Sequence, residues 1–174
     1  MFKIRGIALG SLLAMLMVCL IQGCGVNYSL SGGSIPENLK TYSVAFFENI
    51  SPIVNPNLSQ TFTEKLKETI RTQSRLSQVN QDGDAVFEGV ITNYAITAAA
   101  VESNTDFAAL NRLTVTVKVT YKNTKDETGE SDFEESFTQF KEFRGEFTAQ
   151  ENTLSAEIVK MLTEDIFNRA FNNW

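Results

Sequence analysis

The stretch Arg112-Leu113-Thr114-Val115-Thr116-Val117-Lys118-Val119-Thr120-Tyr121 alternates strictly between polar and apolar side chains. Successive side chains of a β-strand point to opposite faces of the sheet, so this alternation predicts a strand with one face in the core and one in water. Other segments must pack against the apolar face to exclude water. The further strands and helices of the fold are therefore sought among the remaining apolar segments.

Three other segments are predicted strands. Residues 41–47 are short, aromatic and β-branched, and residues 85–97 contain a central Gly89 that predicts a β-bulge. The phenylalanines of residues 133–147 fit both helical and strand spacing, and spacing alone leaves both readings open. Because a lone antiparallel pair is marginally stable, we predict a third hairpin strand as far as Phe140, followed by a loop.

Two segments show the recurrence of apolar side chains that is typical of helices buried on one face. The first has Asn55 as its expected cap, Pro56 at its first position and a stripe of Leu58, Phe62, Leu66 and Ile70. The last has Asn152 or Thr153 as its expected cap and a stripe of Leu154, Ile158, Met161, Leu162, Ile166 and Ala170. The predicted fold is therefore α+β, a two-layer sandwich in the order βαβββα. Its mostly antiparallel four-stranded sheet carries two helices on one face.

The N-terminal residues predict export and a lipid anchor. Lys3 and Arg5 precede an apolar run over residues 7–21, which is typical of a secretory signal and shorter than the roughly 20 residues of a spanning helix. The stretch Leu20-Ile21-Gln22-Gly23-Cys24 resembles the lipobox of bacterial lipoproteins, which implies cleavage before Cys24 and lipidation of its thiol. The acyl chains would hold the mature chain at a membrane. The alternatives are an ordinary secreted protein with a chance cysteine, or an uncleaved anchor.

The predicted organisation is a signal peptide at residues 1–23, a lipidated tether at 24–40 and a single α+β domain at 41–174. By resemblance to lipoprotein sorting, Gly25 after the cysteine indicates the outer membrane. By the same resemblance, the lack of an acidic run after Cys24 indicates a periplasm-facing protein.

Composition argues against several functions. Loss of Lys3 and Arg5 with the signal changes the formal charge from −6 to −8, whereas nucleic acid binding depends on clustered Lys and Arg. The chain contains no histidine, which excludes Ser-His-Asp and Cys-His catalysis and His-ligated zinc. No Ser-x-x-Lys motif occurs either. We therefore expect no catalytic residue, no metal site and no cofactor, and a protein that is not an enzyme.

The polar face of the central strand and the loop beyond it concentrate positive charge in an otherwise acidic chain. Lys and Arg side chains pair with phosphates and carboxylates. The candidate contact residues are Arg112, Lys118, Lys122 and Lys125. A solvated face of an antiparallel sheet explains the same pattern equally well.

Five segments share their pattern with one protein family. They are the Cys24 lipobox, Val44-Ala45-Phe46-Phe47-Glu48-Asn49, Asp84-Ala85-Val86-Phe87-Glu88-Gly89-Val90-Ile91-Thr92, Asn111-Arg112-Leu113-Thr114-Val115-Thr116-Val117-Lys118-Val119 and the C-terminal Glu164-Asp165-Ile166-Phe167-Asn168-Arg169-Ala170-Phe171-Asn172-Asn173-Trp174. Together they resemble the lipopolysaccharide-assembly lipoprotein family LptE in its Bacteroidetes-like form. The resemblance spans nearly the whole mature chain.

The resemblance implies a lipoprotein that sits as a plug inside the large outer-membrane β-barrel LptD, helps it to assemble and contacts lipopolysaccharide. A polar sheet face would suit the polar lumen of a wide barrel. A domain with a charge of −8 should repel an anionic lipid within a Debye length of about 8 Å. We therefore expect support of the barrel to dominate, with any lipopolysaccharide contact limited to the four basic residues. The alternative is a periplasmic scaffold or pilot lipoprotein for another outer-membrane channel.

Overall fold

The computed structural model describes residues 35–53, 55–100 and 110–172, so the predicted signal peptide, Cys24 and most of the tether lie outside the described residues. The described chain forms six strands and two helices. They are β1 (Thr41–Val44), β2 (Glu48–Asn49), α1 (Leu58–Gln73), β3 (Ser77–Gln78), β4 (Ala85–Ala100), β5 (Leu110–Asn123), β6 (Phe133–Phe143) and α2 (Phe147–Phe171). No helix within these ranges is both long enough and apolar enough to cross a membrane.

The alternating stretch lies in β5, between two long antiparallel neighbours. The strand order is β3-β1-β4-β5-β6, and β2 pairs with β4 beyond the end of β1. Tyr121 lies opposite Phe87 of β4 and Phe133 of β6, and Val117 lies opposite Ile91 and Phe137, so apolar side chains share one face. This confirms the predicted period-two reading of β5.

Strands β1, β2 and β3 make the sheet mixed. Both β1 and β2 run parallel to β4, and β1 runs parallel to β3. Parallel neighbours need a crossover connection, and α1 supplies it between β1 and β4. The predicted α+β class and the predicted element order of the four main strands are confirmed, and the two-residue strands β2 and β3 are additions to them.

The core lies between the inner face of the sheet and the two helices. Both predicted helical stripes are buried, apart from the partly buried Met161 and Ala170. Aromatic rings fill the end of the core near the C terminus: the Phe87 ring centroid lies 5.0 Å from that of Tyr121 and 5.9 Å from that of Phe171. Between the helices, the Thr69 and Thr163 hydroxyls form a buried hydrogen bond of 3.3 Å. The helices therefore pack against each other as well as against the sheet.

The segment from Phe133 to Phe147 is a strand, a turn and the start of a helix. Strand β6 continues to Phe143, past the predicted end at Phe140. Gly145 then turns the chain with a φ of +79°, a conformation that favours glycine. Helix α2 begins at Phe147, not near Asn152 or Thr153, because the Phe147 ring packs 5.5 Å from the Phe143 ring.

Two other local predictions are wrong. Helix α1 begins at Leu58 with Asn57 as its cap, because the Asn55 side chain accepts a bond from the Asn57 amide at 3.0 Å and forms a turn before the helix. Gly89 pairs regularly with Val119, and the irregularities of β4 lie between residues 91 and 93 and between 98 and 100. Gly89 permits close packing instead, since a β-carbon there would lie 2.1 Å from the Lys118 carbonyl oxygen.

Candidate functional site

The face of β4, β5 and β6 that points away from the core is the outer face. Its side chains alternate with the core side chains along each strand, and none of them is buried. Among the described residues, both helices pack on the opposite side. The members of the outer face are Val86, Glu88, Val90, Asn93, Ala95, Thr97, Arg112, Thr114, Thr116, Lys118, Thr120, Lys122, Glu134, Ser136, Thr138, Phe140 and Glu142.

Hydroxyl groups and ion pairs join β5 and β6 on the outer face. The Thr116 and Thr138 hydroxyls share a hydrogen bond of 2.9 Å. The Lys118 ammonium lies 2.6 Å from the Glu134 carboxylate. This hydrogen bond with Lys118 is the largest cause that lowers the pKa of Glu134 below its ordinary value. The hydroxyl pair and the Lys118–Glu134 ion pair therefore find their partners within the protein itself.

The predicted basic residues do not form one continuous cationic patch. The Arg112 guanidinium lies 2.6 Å from the Glu142 carboxylate, and Lys118 pairs with Glu134. Lys125 lies in the loop after β5, with its ammonium 3.0 Å from Asp84. Lys122 is exposed and forms no ion pair with any residue that the structure describes. The fifth predicted site residue, Cys24, lies outside the described residues.

Asp84 connects the start of β1 to the start of β4 through hydrogen bonds of its side chain. Its carboxylate accepts hydrogen bonds from the backbone amides of Lys40 at 2.9 Å and Thr41 at 3.0 Å, in addition to the Lys125 ion pair. The Lys40 amide bond, followed by the bond with Lys125, holds the pKa of the Asp84 carboxyl well below its usual value. Lys125 is therefore part of a structural junction, which explains its position without a ligand.

A groove of about 490 Å³ opens beside the outer face, between β1, β4 and the loop that follows β3. One edge is the Phe46 ring, whose residue is 60% exposed. The lining consists of Ser43, Val44, Ala45, Phe46, Asn80, Gln81, Asp82, Val86 and Glu88. The groove combines an aromatic ring, two amides and two carboxylates. We refer to it as the Phe46 groove.

Sequence reasoning missed the Phe46 groove. The sequence predicts one strand over residues 41–47, yet β1 ends at Val44, and Phe46 and Phe47 point to different environments. Phe47 is fully buried against Phe62, at 5.0 Å between ring centroids, while Phe46 is exposed. The available signal was the pair itself, because adjacent residues of extended chain point in opposite directions and only one ring could enter the core.

One protein-family model matches most of the chain. The family model LptE, described as lipopolysaccharide-assembly, matches residues 39–170, which is more than half of the chain. A search of curated protein sequences finds no significant match.

Several solved structures resemble the described fold at low sequence identity. Protein XCC0632 from Xanthomonas campestris aligns with a TM-score of 0.56 and 10% identity, over 77% of this chain and 86% of its own. The hypothetical protein CT253 from Chlamydia trachomatis aligns at 0.52 and 10% identity, over 75% and 95%. The rare lipoprotein B from Shewanella oneidensis aligns at 0.47 and 9% identity, over 73% and 89%. Likeness at these identities shows the fold alone.

Proposed function

The chain belongs to the lipopolysaccharide-assembly family LptE, and on that premise we propose that it is a non-enzymatic outer-membrane lipoprotein that plugs a large partner β-barrel. Lipidated Cys24 anchors the chain on the periplasmic side. The folded domain supports assembly of the barrel, which inserts lipopolysaccharide into the outer leaflet. The family match over residues 39–170 is the observation that carries this proposal.

The chemistry of the outer face supports a contact inside a barrel. The lumen of a wide barrel is lined by polar side chains. The outer face offers hydroxyls at Thr116 and Thr138 and ion pairs at Arg112 and Lys118, all on the paired strands β5 and β6. When such a face enters a barrel, its hydrogen bonds to water can be replaced by hydrogen bonds to the polar side chains of the lumen, with little loss of free energy. Glu142 and Glu134 already balance the charges of Arg112 and Lys118.

Support of the barrel is the primary role in this proposal, and direct capture of lipopolysaccharide is secondary. Three of the four basic candidates, Arg112, Lys118 and Lys125, already have a carboxylate partner. A phosphate would have to displace that carboxylate in each case, inside a domain of net negative charge. Lys122 is the one candidate that a phosphate could approach without breaking a described ion pair.

Affinity purification of the lipidated full chain from its own envelope, in mild detergent, tests the proposal. Mass spectrometry should find a large outer-membrane β-barrel in stoichiometric amount. Replacement of Cys24 by Ser should release the chain from the membrane fraction and reduce recovery of the barrel. Recovery of the chain alone, or with a secretion channel, contradicts the proposal.

A second measurement separates support of the barrel from direct lipid contact. Replacement of Arg112, Lys118, Lys122 and Lys125 by Ala should leave binding of purified lipopolysaccharide to the isolated chain unchanged. Replacement of four basic residues elsewhere, Lys65, Lys67, Arg71 and Arg75 of α1 and the turn after it, controls for net charge. A loss of binding confined to the first variant would make lipopolysaccharide capture a direct role.

A further inference from the structure

Two clusters among the described residues have the same three parts: an aromatic ring, a guanidinium above it and a carboxylate beside the guanidinium. On the outer face, the Arg112 guanidinium lies 4.2 Å from the Phe140 ring centroid and pairs with Glu142. At the inner edge of β6, the Arg169 guanidinium lies 4.5 Å from the Phe133 ring centroid and 2.7 Å from Glu135. A guanidinium over a ring face is attracted by the ring quadrupole, and the carboxylate adds an ion pair.

The Phe46 groove holds two of these three parts. Phe46 is more exposed than Phe140, at 60% against 46% of the residue surface. Asp82 and Glu88 line the same groove, and neither side-chain carboxylate forms an ion pair or a hydrogen bond with any described residue. The other outer-face carboxylates, Glu134 and Glu142, both have a cationic partner. Within the described chain, the groove thus presents a ring and two carboxylates without a cation.

Lys122 of β5 lies directly opposite Val86 of β4, which lines the groove, and Val86 is one outer-face position from Glu88. No ion pair joins Lys122 to Glu88 or Asp82, so this lysine does not supply the missing cation. The side-chain amides of Asn80 and Gln81, which line the groove, form no hydrogen bond with described residues. They remain available to a ligand that brings hydrogen-bond donors.

The wall of the groove is built before any ligand arrives. The loop after β3 crosses β1 so closely that a β-carbon on Gly83 would lie 2.5 Å from the Ser43 backbone nitrogen. The Gly83 amide donates to the Ser43 hydroxyl at 3.2 Å, and the Val79 amide donates to the Tyr42 carbonyl at 2.9 Å. Asp82 has a φ of +54°, a costly conformation that such contacts can hold in place. A preformed groove lowers the entropic cost of binding.

We infer that the Phe46 groove binds the side chain of an arginine or lysine from the partner protein, with its cation over the Phe46 ring and between Asp82 and Glu88. The inference rests on the proposed function, because the partner is the outer-membrane β-barrel. Charge complementarity and the two internal examples at Phe140 and Phe133 favour a guanidinium. A phosphorylated or otherwise anionic ligand is repelled by the two carboxylates.

Photo-crosslinking in living cells tests which molecule enters the groove. A benzoylphenylalanine replaces Phe46 in the full chain, and the same residue replaces exposed Gln73 of α1 as the control. Position 46 should crosslink to a barrel peptide that contains Arg or Lys, and position 73 should not. A crosslink from position 46 to lipid or saccharide, or no crosslink to any protein, overturns the inference.

Charge removal tests whether the carboxylates hold the cation. In the affinity purification, the double variant Asp82→Asn/Glu88→Gln should lower recovery of the barrel about tenfold or more. The control Glu64→Gln/Glu68→Gln removes the same charge from α1 and should leave recovery unchanged. Both double variants should unfold at the wild-type temperature, so that a difference reports binding. If wild type recovers the barrel and Asp82→Asn/Glu88→Gln recovers it equally, the inference fails and the proposed function stands.

Charge exchange completes the test. The crosslinked Arg or Lys of the barrel, changed to Glu, should reduce recovery with the wild-type chain, and Glu88→Arg should restore it. Restoration identifies the pair directly. A barrel charge reversal that Glu88→Arg fails to restore contradicts the inference, and a wild-type chain that recovers no barrel contradicts the proposed function itself.

Discussion

The two faces of strand β5 come from the same ten residues, but they differ in how much they contribute to the stability of the fold. The inner side chains, Leu113, Val115, Val117, Val119 and Tyr121, are at most 1% exposed and pack against the helices. The outer side chains remain accessible and bond to one another across strands. Burial of apolar area is the main source of stability, whereas exposed ion pairs contribute little. The inner face therefore holds the fold, and the outer face can change without unfolding it.

The largest expected difference between the faces comes from one substitution made on each side. Phe87→Ala removes a fully buried ring that contacts Tyr121 and Phe171, and should cost about 3–5 kcal/mol of unfolding free energy. Phe140→Ala removes an outer ring whose described ring contact is the Arg112 guanidinium, and should cost no more than about 1 kcal/mol. Urea denaturation followed by circular dichroism measures both. Equal costs would contradict the division between the faces.

The next largest loss of stability is expected where β4 and β5 approach closely at Gly89. Gly89→Ala places a β-carbon against the Lys118 carbonyl and within 2.6 Å of the Phe47 ring, and should cost about 1–3 kcal/mol or more. The control Ala95→Gly removes a β-carbon from the outer face of the same strand and should cost about 0.5–1 kcal/mol through backbone entropy alone. A Gly89→Ala variant as stable as Ala95→Gly would show that β4 and β5 can separate at this point.

The Asp84 junction should have an intermediate effect that depends on pH. Asp84→Ala leaves two backbone amides without their acceptor and should cost about 1–3 kcal/mol, whereas Lys125→Ala should cost less than about 1 kcal/mol because its side chain is half exposed. The folded pKa of Asp84 lies below its ordinary value of 3.8, so its contribution to stability is complete well above 3.8 and is lost as the pH falls from there through the lower folded pKa.

Denaturation at several pH values between about 2 and 6 checks the sign for Asp84. The wild-type protein should lose stability more steeply than Asp84→Ala as the pH falls in this range. Parallel curves for the two proteins would mean that Asp84 does not stabilise the β1–β4 junction through its charge. Asp126, whose pKa is also lowered by hydrogen bonds, first from Ser131, contributes the same background slope to both proteins.

The inner face could be predicted from the sequence because its information is local. The alternation from Leu113 to Tyr121 and the helical stripe from Leu58 to Ile70 identify core residues without knowledge of any partner. Helix α2 was predicted to begin too late because Phe147 extends the helix by packing on Phe143, across a turn that single-residue preferences do not reveal. The local pattern therefore predicts which residues are buried better than it predicts where an element begins.

The outer face could be predicted only in part, because its chemistry depends on register. Arg112 and Lys118 were correctly assigned to the solvent side, yet their ion pairs require Glu142 and Glu134 of β6 to lie beside them. The Phe46 groove requires three separate segments, β1, β4 and the loop after β3, to converge. Charge counted along the sequence therefore overestimated the cationic character of this face, and it gave no indication of the unpaired carboxylates.

The smallest expected effect is the most direct check of the division between the faces. A double-mutant cycle on Arg112 and Glu142 should give a coupling of about 0.2–1 kcal/mol, because both side chains are more than one third exposed. The coupling should decrease in high salt, as expected for an exposed pair. A coupling of several kcal/mol that resists salt would mean that the outer face also stabilises the fold. Losses of partner binding in outer-face variants would then have to be separated from losses of stability.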